Sequence, residues 1–96
     1  MREKIENIII EALKDFEDTL GEDVVLNLNS NTRLYGANGI LDSLALVSLI
    51  ADLEDKISQI FDKDIVLADE KAMSQKTSPF RSIESLALYI ENLLKD

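Results

Sequence analysis

Three stretches of aliphatic residues recur at spacings of three and four, and that rhythm commits the chain to a helical fold. In the first, Ile5, Ile8, Ile9, Ala12, Leu13, Phe16 and Leu20 share one side, while Glu3, Glu6, Glu11, Asp15, Glu17 and Asp18 fill the other. This is an amphipathic helix of about four to five turns. Gly21 follows in the C′ position that favours glycine, and ends it. In the second stretch, Leu46, Leu49, Ile50, Leu53, Ile57 and Ile60 form one stripe, with Leu44, Val47 and Ala51 as a second apolar flank. The spacing predicts a helix over 43–61 with Asp42 as its N-cap. Its apolar arc is wider than one core-facing side requires. The helix is therefore either the central, most buried one or it keeps an exposed apolar strip. The third stretch starts near Ser82 and carries Ile83, Leu86, Ala87, Ile90, Leu93 and Leu94. Lys95 near its end suits the C-terminal dipole.

Two long connections join these helices. Residues 21–42 hold Gly21, Asn27, Asn29, Ser30, Asn31, Gly36, Asn38 and Gly39, all turn formers. Val24, Val25, Leu26 and Leu28 read as a short strand, but no second strand pairs with it. An ordered loop pinned to the core by Leu28, Leu34, Tyr35 and Leu41 is the preferred reading. In residues 62–82, Ile65, Val66 and Leu67 form an apolar patch, Asp69 to Met73 fit one helical turn, and Ser78-Pro79 resembles an N-cap followed by Pro at N1. Phe80, like Tyr35, reads as a core pin. The expected architecture is one domain, residues 1–96: an all-α bundle of three long helices plus one short helix, with long connecting loops.

Composition narrows the function classes. A chain of 96 residues buries roughly 60–65% of its unfolded surface, enough for one modest core. Aromatics are only 5% of it, so the core is aliphatic. The net charge of −9 disfavours nucleic acid, which needs Lys and Arg to displace counterions. It favours partners with basic surfaces. Neither Cys nor His occurs. Disulfides, thiolate or His-ligated zinc sites and an in-chain Ser-His-Asp triad are therefore excluded. Ser48, Asp52, Glu54, Asp55 and Lys56 interrupt the longest apolar stretch, so it does not span a bilayer. Met1-Arg2-Glu3-Lys4 lacks a signal-peptide profile, and a cytoplasmic monomer is the default expectation.

Within this frame Ser43 draws attention. It lies in Leu41-Asp42-Ser43-Leu44, after a Gly- and Asn-rich loop and at the start of the second helix. A helix tip presents unpaired N–H groups and the positive end of the macrodipole, which suit a phosphate ester. The plain alternative is that Ser43 and Asp42 merely cap the helix, and the two roles are compatible.

The order of elements, with Gly39-Ile40-Leu41-Asp42-Ser43-Leu44 opening the second helix, resembles the acyl and peptidyl carrier proteins. The resemblance runs from about Glu3 to Leu94. Its specificity comes from placement: a loop before the Asp-Ser-Leu signature, an apolar helix after it, and a small acidic domain around it. It implies that Ser43 carries covalent 4′-phosphopantetheine, added from coenzyme A by a phosphopantetheinyl transferase with Mg²⁺. It also implies that Asp42 helps to position the transferase's metal or caps the helix, and that Leu44 touches partner enzymes beside the arm. The stretch from Thr32-Arg33-Leu34-Tyr35-Gly36 through Val47-Ser48-Leu49, with Ala72–Gln75 and Ser78–Arg81 later, looks most like free-standing carriers of the D-alanyl, surface-polysaccharide or secondary-metabolite type. The fatty-acid-synthesis type displays acidic residues soon after the serine, where this chain has Ala45 and Ser48, and a bulky apolar residue where it has Ala51.

The resulting expectation is a carrier and not an enzyme, holding acyl or aminoacyl thioesters for others to act on. Its expected partners are the transferase, an adenylating ligase and a downstream acyltransferase or synthase. The expected docking residues are Leu44, Val47, Ala51, Asp52, Glu54 and Asp55. The alternative is a small acidic helical adaptor that binds a partner through the second helix.

Overall fold

In the computed structural model the chain is an all-α bundle. The structure describes residues 2–35, 39–67 and 79–95, with Thr19 and Ser43 described through their backbone only. The helical turn expected at Asp69 to Met73 lies outside the described residues. The helices are α1 (Arg2–Lys14), α2 (Glu17–Leu20), α3 (Glu22–Leu26), α4 (Ser43–Phe61) and α5 (Ile83–Lys95), with a 3₁₀ turn at Pro79–Arg81. No helix of the described residues is long and apolar enough to cross a membrane.

The first stripe does not make one continuous helix. The amides of Asp15 and Phe16 donate to the carbonyls of Ala12 and Leu13, three residues back, which tightens the last turn and ends α1. The break also suits the charges. In an unbroken helix Glu17 and Asp18 would crowd the negative C-terminal end; as the first turn of α2 they face a positive one. Lys14 correspondingly occupies the last turn of α1. Gly21 then turns the chain at φ 94°, ψ 149°, a backbone region open essentially to glycine. The step repeats in α3, whose first turn holds Glu22 and Asp23. Val24 to Leu26 are thus helical, neither strand nor loop, and Leu26 is 73% exposed.

One aliphatic core unites Ile5, Ile9, Ala12 and Leu13 of α1 with Leu46, Leu49, Ile50, Leu53 and Ile57 of α4 and Ile83, Leu86, Ala87 and Ile90 of α5. The helix that packs against both others is α1. That resolves the wide apolar arc of α4: it is not the central helix, and it keeps an exposed strip. Ile60, at the far end of its buried stripe, is half exposed. Leu34, Leu41, Leu67 and Phe80 pin the connections, and Leu28 packs in part against the core. Tyr35 does not act as a pin, since its side chain is 40% exposed. Phe80 is buried and meets Tyr89 edge-on, with ring centres 6.4 Å apart.

Side chains close the element ends. Ser82 and Ser85 form a reciprocal capping box at the start of α5: each hydroxyl accepts the other's amide, at 3.1 and 3.0 Å. Asp62 ends α4 in the left-handed conformation. Lys63 Nζ then donates to the Leu93 and Leu94 carbonyls at 3.2 and 3.0 Å, satisfying acceptors that the end of α5 leaves open.

Candidate functional site

The loop before α4 is held on two sides. The Leu34 amide donates to the Arg81 carbonyl at 2.9 Å, and the Ile83 amide donates to the Thr32 carbonyl at 3.1 Å, so this lane lies along the start of α5. On its other side the Ile40 amide donates to Arg33 O at 3.0 Å and the Leu41 amide to Leu34 O at 2.8 Å. Arg33 and Ser82 form a single antiparallel bridge. Gly39 makes the return possible: a Cβ there would stand 2.8 Å from both Leu34 O and Tyr35 Cα. An Asx turn at Asn29, which accepts the Asn31 amide at 2.8 Å, starts this segment. The arginines at 33 and 81 keep exposed side chains.

Asp42 follows with extended backbone, φ −85° and ψ 179°, and its Oδ1 accepts the Ala45 amide at 2.8 Å. Its carbonyl accepts the Leu46 amide at 2.9 Å. Asp42 is therefore the N-cap, and Ser43 is the first residue of a 19-residue helix, the longest among the described residues. No acidic residue lies within the first turn of α4. The Asp42 carboxylate caps its positive end.

A face that is uncharged for its first two turns runs down the helix from there. Leu44 is 80% exposed and Val47 53%, and Ser48, Ala51 and Asp55 are exposed as well. Steps of three, four and seven place all five on one side. The expected docking carboxylates are not equivalent. Lys56 Nζ sits 3.2 Å from both oxygens of the half-buried Asp52 and 3.9 Å from Asp15. Glu54 Oε2 accepts the Leu67 amide at 2.6 Å and so ties the connection after α4 to the helix. Asp55, whose Oδ2 accepts from Gln59 at 3.1 Å, is the one of the three that is exposed.

The structure thus brings Asp42, Ser43, Leu44, Val47 and Ala51 onto one end of α4. Asp55 lies about 18 Å from Ser43 along the helix axis, one turn beyond Ala51. Sequence reasoning treated Gly39 as one turn former among many and missed its role, because the close approach of Leu34 and Tyr35 leaves no local signature. Among the described residues no group of three or more carboxylates could hold a metal ion. No protein-family model, curated protein or solved structure matches the chain.

Proposed function

We propose that the chain is an acyl or aminoacyl carrier whose tether is Ser43, serving a specialised pathway. One observation carries the reading: a serine is the first residue of the longest described helix, capped by Asp42 and preceded by a loop anchored on both sides. A carrier needs a rigid platform that foreign enzymes can reach, and a helix N-terminus also favours the negative phosphodiester. That preference is about 0.3–1 kcal/mol at an exposed site, so it assists without deciding. The lack of acidic residues in the first turn of α4 fits such a group.

In this reading a phosphopantetheinyl transferase forms the bond from Ser43 Oγ to phosphorus. The pyrophosphate bond of coenzyme A breaks, adenosine bisphosphate leaves, and the serine proton passes to a base on the transferase. Attached there, 4′-phosphopantetheine supplies the thiol for thioester chemistry that a chain without Cys lacks. Asp42 holds the helix end in shape. Leu44, Val47 and Ala51 give transferase, adenylating ligase and acyl-accepting enzyme an apolar face to rest on. Asp55 adds one negative charge to that face, and the overall charge of −9 steers the approach.

The exposed strip on α4 equally favours an adaptor that binds a partner helix and carries no cofactor. Mass spectrometry separates the two. After incubation with a phosphopantetheinyl transferase, Mg²⁺ and coenzyme A, the carrier reading expects one added phosphopantetheine on the chain and none on Ser43→Ala. An unchanged wild-type mass with several transferases leaves the adaptor.

A further inference from the structure

Ile8 of α1 and Ile60 of α4 line an open groove of about 340 Å³ between the two helices. Ile60 is 47% exposed there, although it continues the stripe that is buried elsewhere along α4. Asn7, Glu11, Gln59 and the side chains of Lys4 and Lys56 form the walls, with Glu11 toward the Lys56 end. Lysine stems add apolar surface while their ammonium groups stay wet. The helices run antiparallel across the groove: Lys4 Nζ lies 5.3 Å from the Phe61 ring centre, whereas Lys56 reaches toward Asp15. The two lysines therefore mark opposite ends, about 7–8 Å apart along the axis of α4.

The ends differ in charge balance. Lys56 is matched by Asp52. Glu11, on the same side, pairs with Lys14 at 3.2 Å. Lys4 has no carboxylate within ion-pair distance among the described residues. In a chain of net charge −9, one end of this apolar groove is thus positive and unmatched. An anionic head fits at Lys4, and the nearby carboxylates discourage it at the other end. The groove is too short for a partner helix, which is about 10–12 Å wide and needs several turns of contact. Its volume lies at the small end of ligand pockets.

The geometry points to a binding site for a medium-chain fatty carboxylate, with its head at Lys4 and its hydrocarbon tail across Ile8 and Ile60. The site is about 24 Å along α4 from Ser43, so it does not rest on the carrier reading.

Octanoate, titrated below its micelle concentration into the full chain, tests the assignment by amide NMR. Saturable shifts are expected at Asn7, Ile8, Gln59 and Ile60, with residues 43–47 unmoved. Lys4 is exposed, so Lys4→Glu should keep the fold and weaken octanoate binding by roughly five-fold or more. Octanol should bind the wild-type chain more weakly than octanoate by a similar factor. Absent or non-saturating shifts at the groove overturn the site. Equal affinity for octanoate and octanol, or indifference to Lys4→Glu, overturns the carboxylate as its ligand.

Discussion

The Leu41 amide donates to the Leu34 carbonyl at 2.8 Å, joining two buried leucines just ahead of Ser43. This bond sets the course of the chain into Asp42, and it exists because Gly39 lets the backbone return so closely. The start of α4 is therefore fixed from behind by backbone hydrogen bonds as well as by its own cap.

Gly39→Ala should disturb that return. The added methyl meets backbone atoms at 2.8 Å, which cannot rotate aside as a flexible side chain would. A loss of about 1–3 kcal/mol is expected in urea unfolding, with faster exchange of the Leu41 amide. An unchanged midpoint and unchanged exchange would contradict the role given to this glycine.

Asp42→Ala removes the acceptor of the Ala45 amide. Stability should fall by about 1 kcal/mol, while Asp42→Asn, which retains a capping oxygen, should lose much less. Thermal melts of the three proteins distinguish a cap from a purely electrostatic effect, in which Asn would behave like Ala.

Glu54→Ala should destabilise by about 1–3 kcal/mol, because it strips the partner from the amide of the buried Leu67. Glu54→Gln keeps an acceptor and should cost less. If Glu54 instead serves partners alone, both variants will melt like wild type.

Leu44→Asp and Val47→Asp alter exposed positions, so their stability should stay within about 0.5 kcal/mol of wild type. Under the carrier reading, transferase-catalysed modification of Ser43 should nevertheless slow by about ten-fold. The contrasting control is Leu53→Ala in the core, expected to cost about 2–5 kcal/mol. Equal modification rates for the two surface variants and wild type would remove the apolar face from the docking account.

Enzymes of fatty-acid synthesis should load this chain poorly. Ala45 is half-buried, and Ser48 and Ala51 are exposed and uncharged, so this part of α4 offers no carboxylates to a basic docking surface. Efficient turnover with such enzymes, measured by acyl transfer to the modified chain, would refute the specialised role.

The boundaries of α4 and its Asp42 cap were legible in the sequence, since apolar period and capping are local and involve residues three or four apart. The start of α5 was legible for the same reason. The break in the first stripe was not, because periodicity ignores how Glu17 and Asp18 sit against the helix dipole. Nor could residue type distinguish Phe80, which is buried, from Tyr35, which is not. Tertiary structure alone decided that α1 packs against both long partners, that Glu54 serves Leu67 while Asp55 faces water, and that Lys4 stands unmatched beside an apolar groove. A repeating pattern reports which face of a helix is apolar; only long-range packing decides what covers that face and what is left in water.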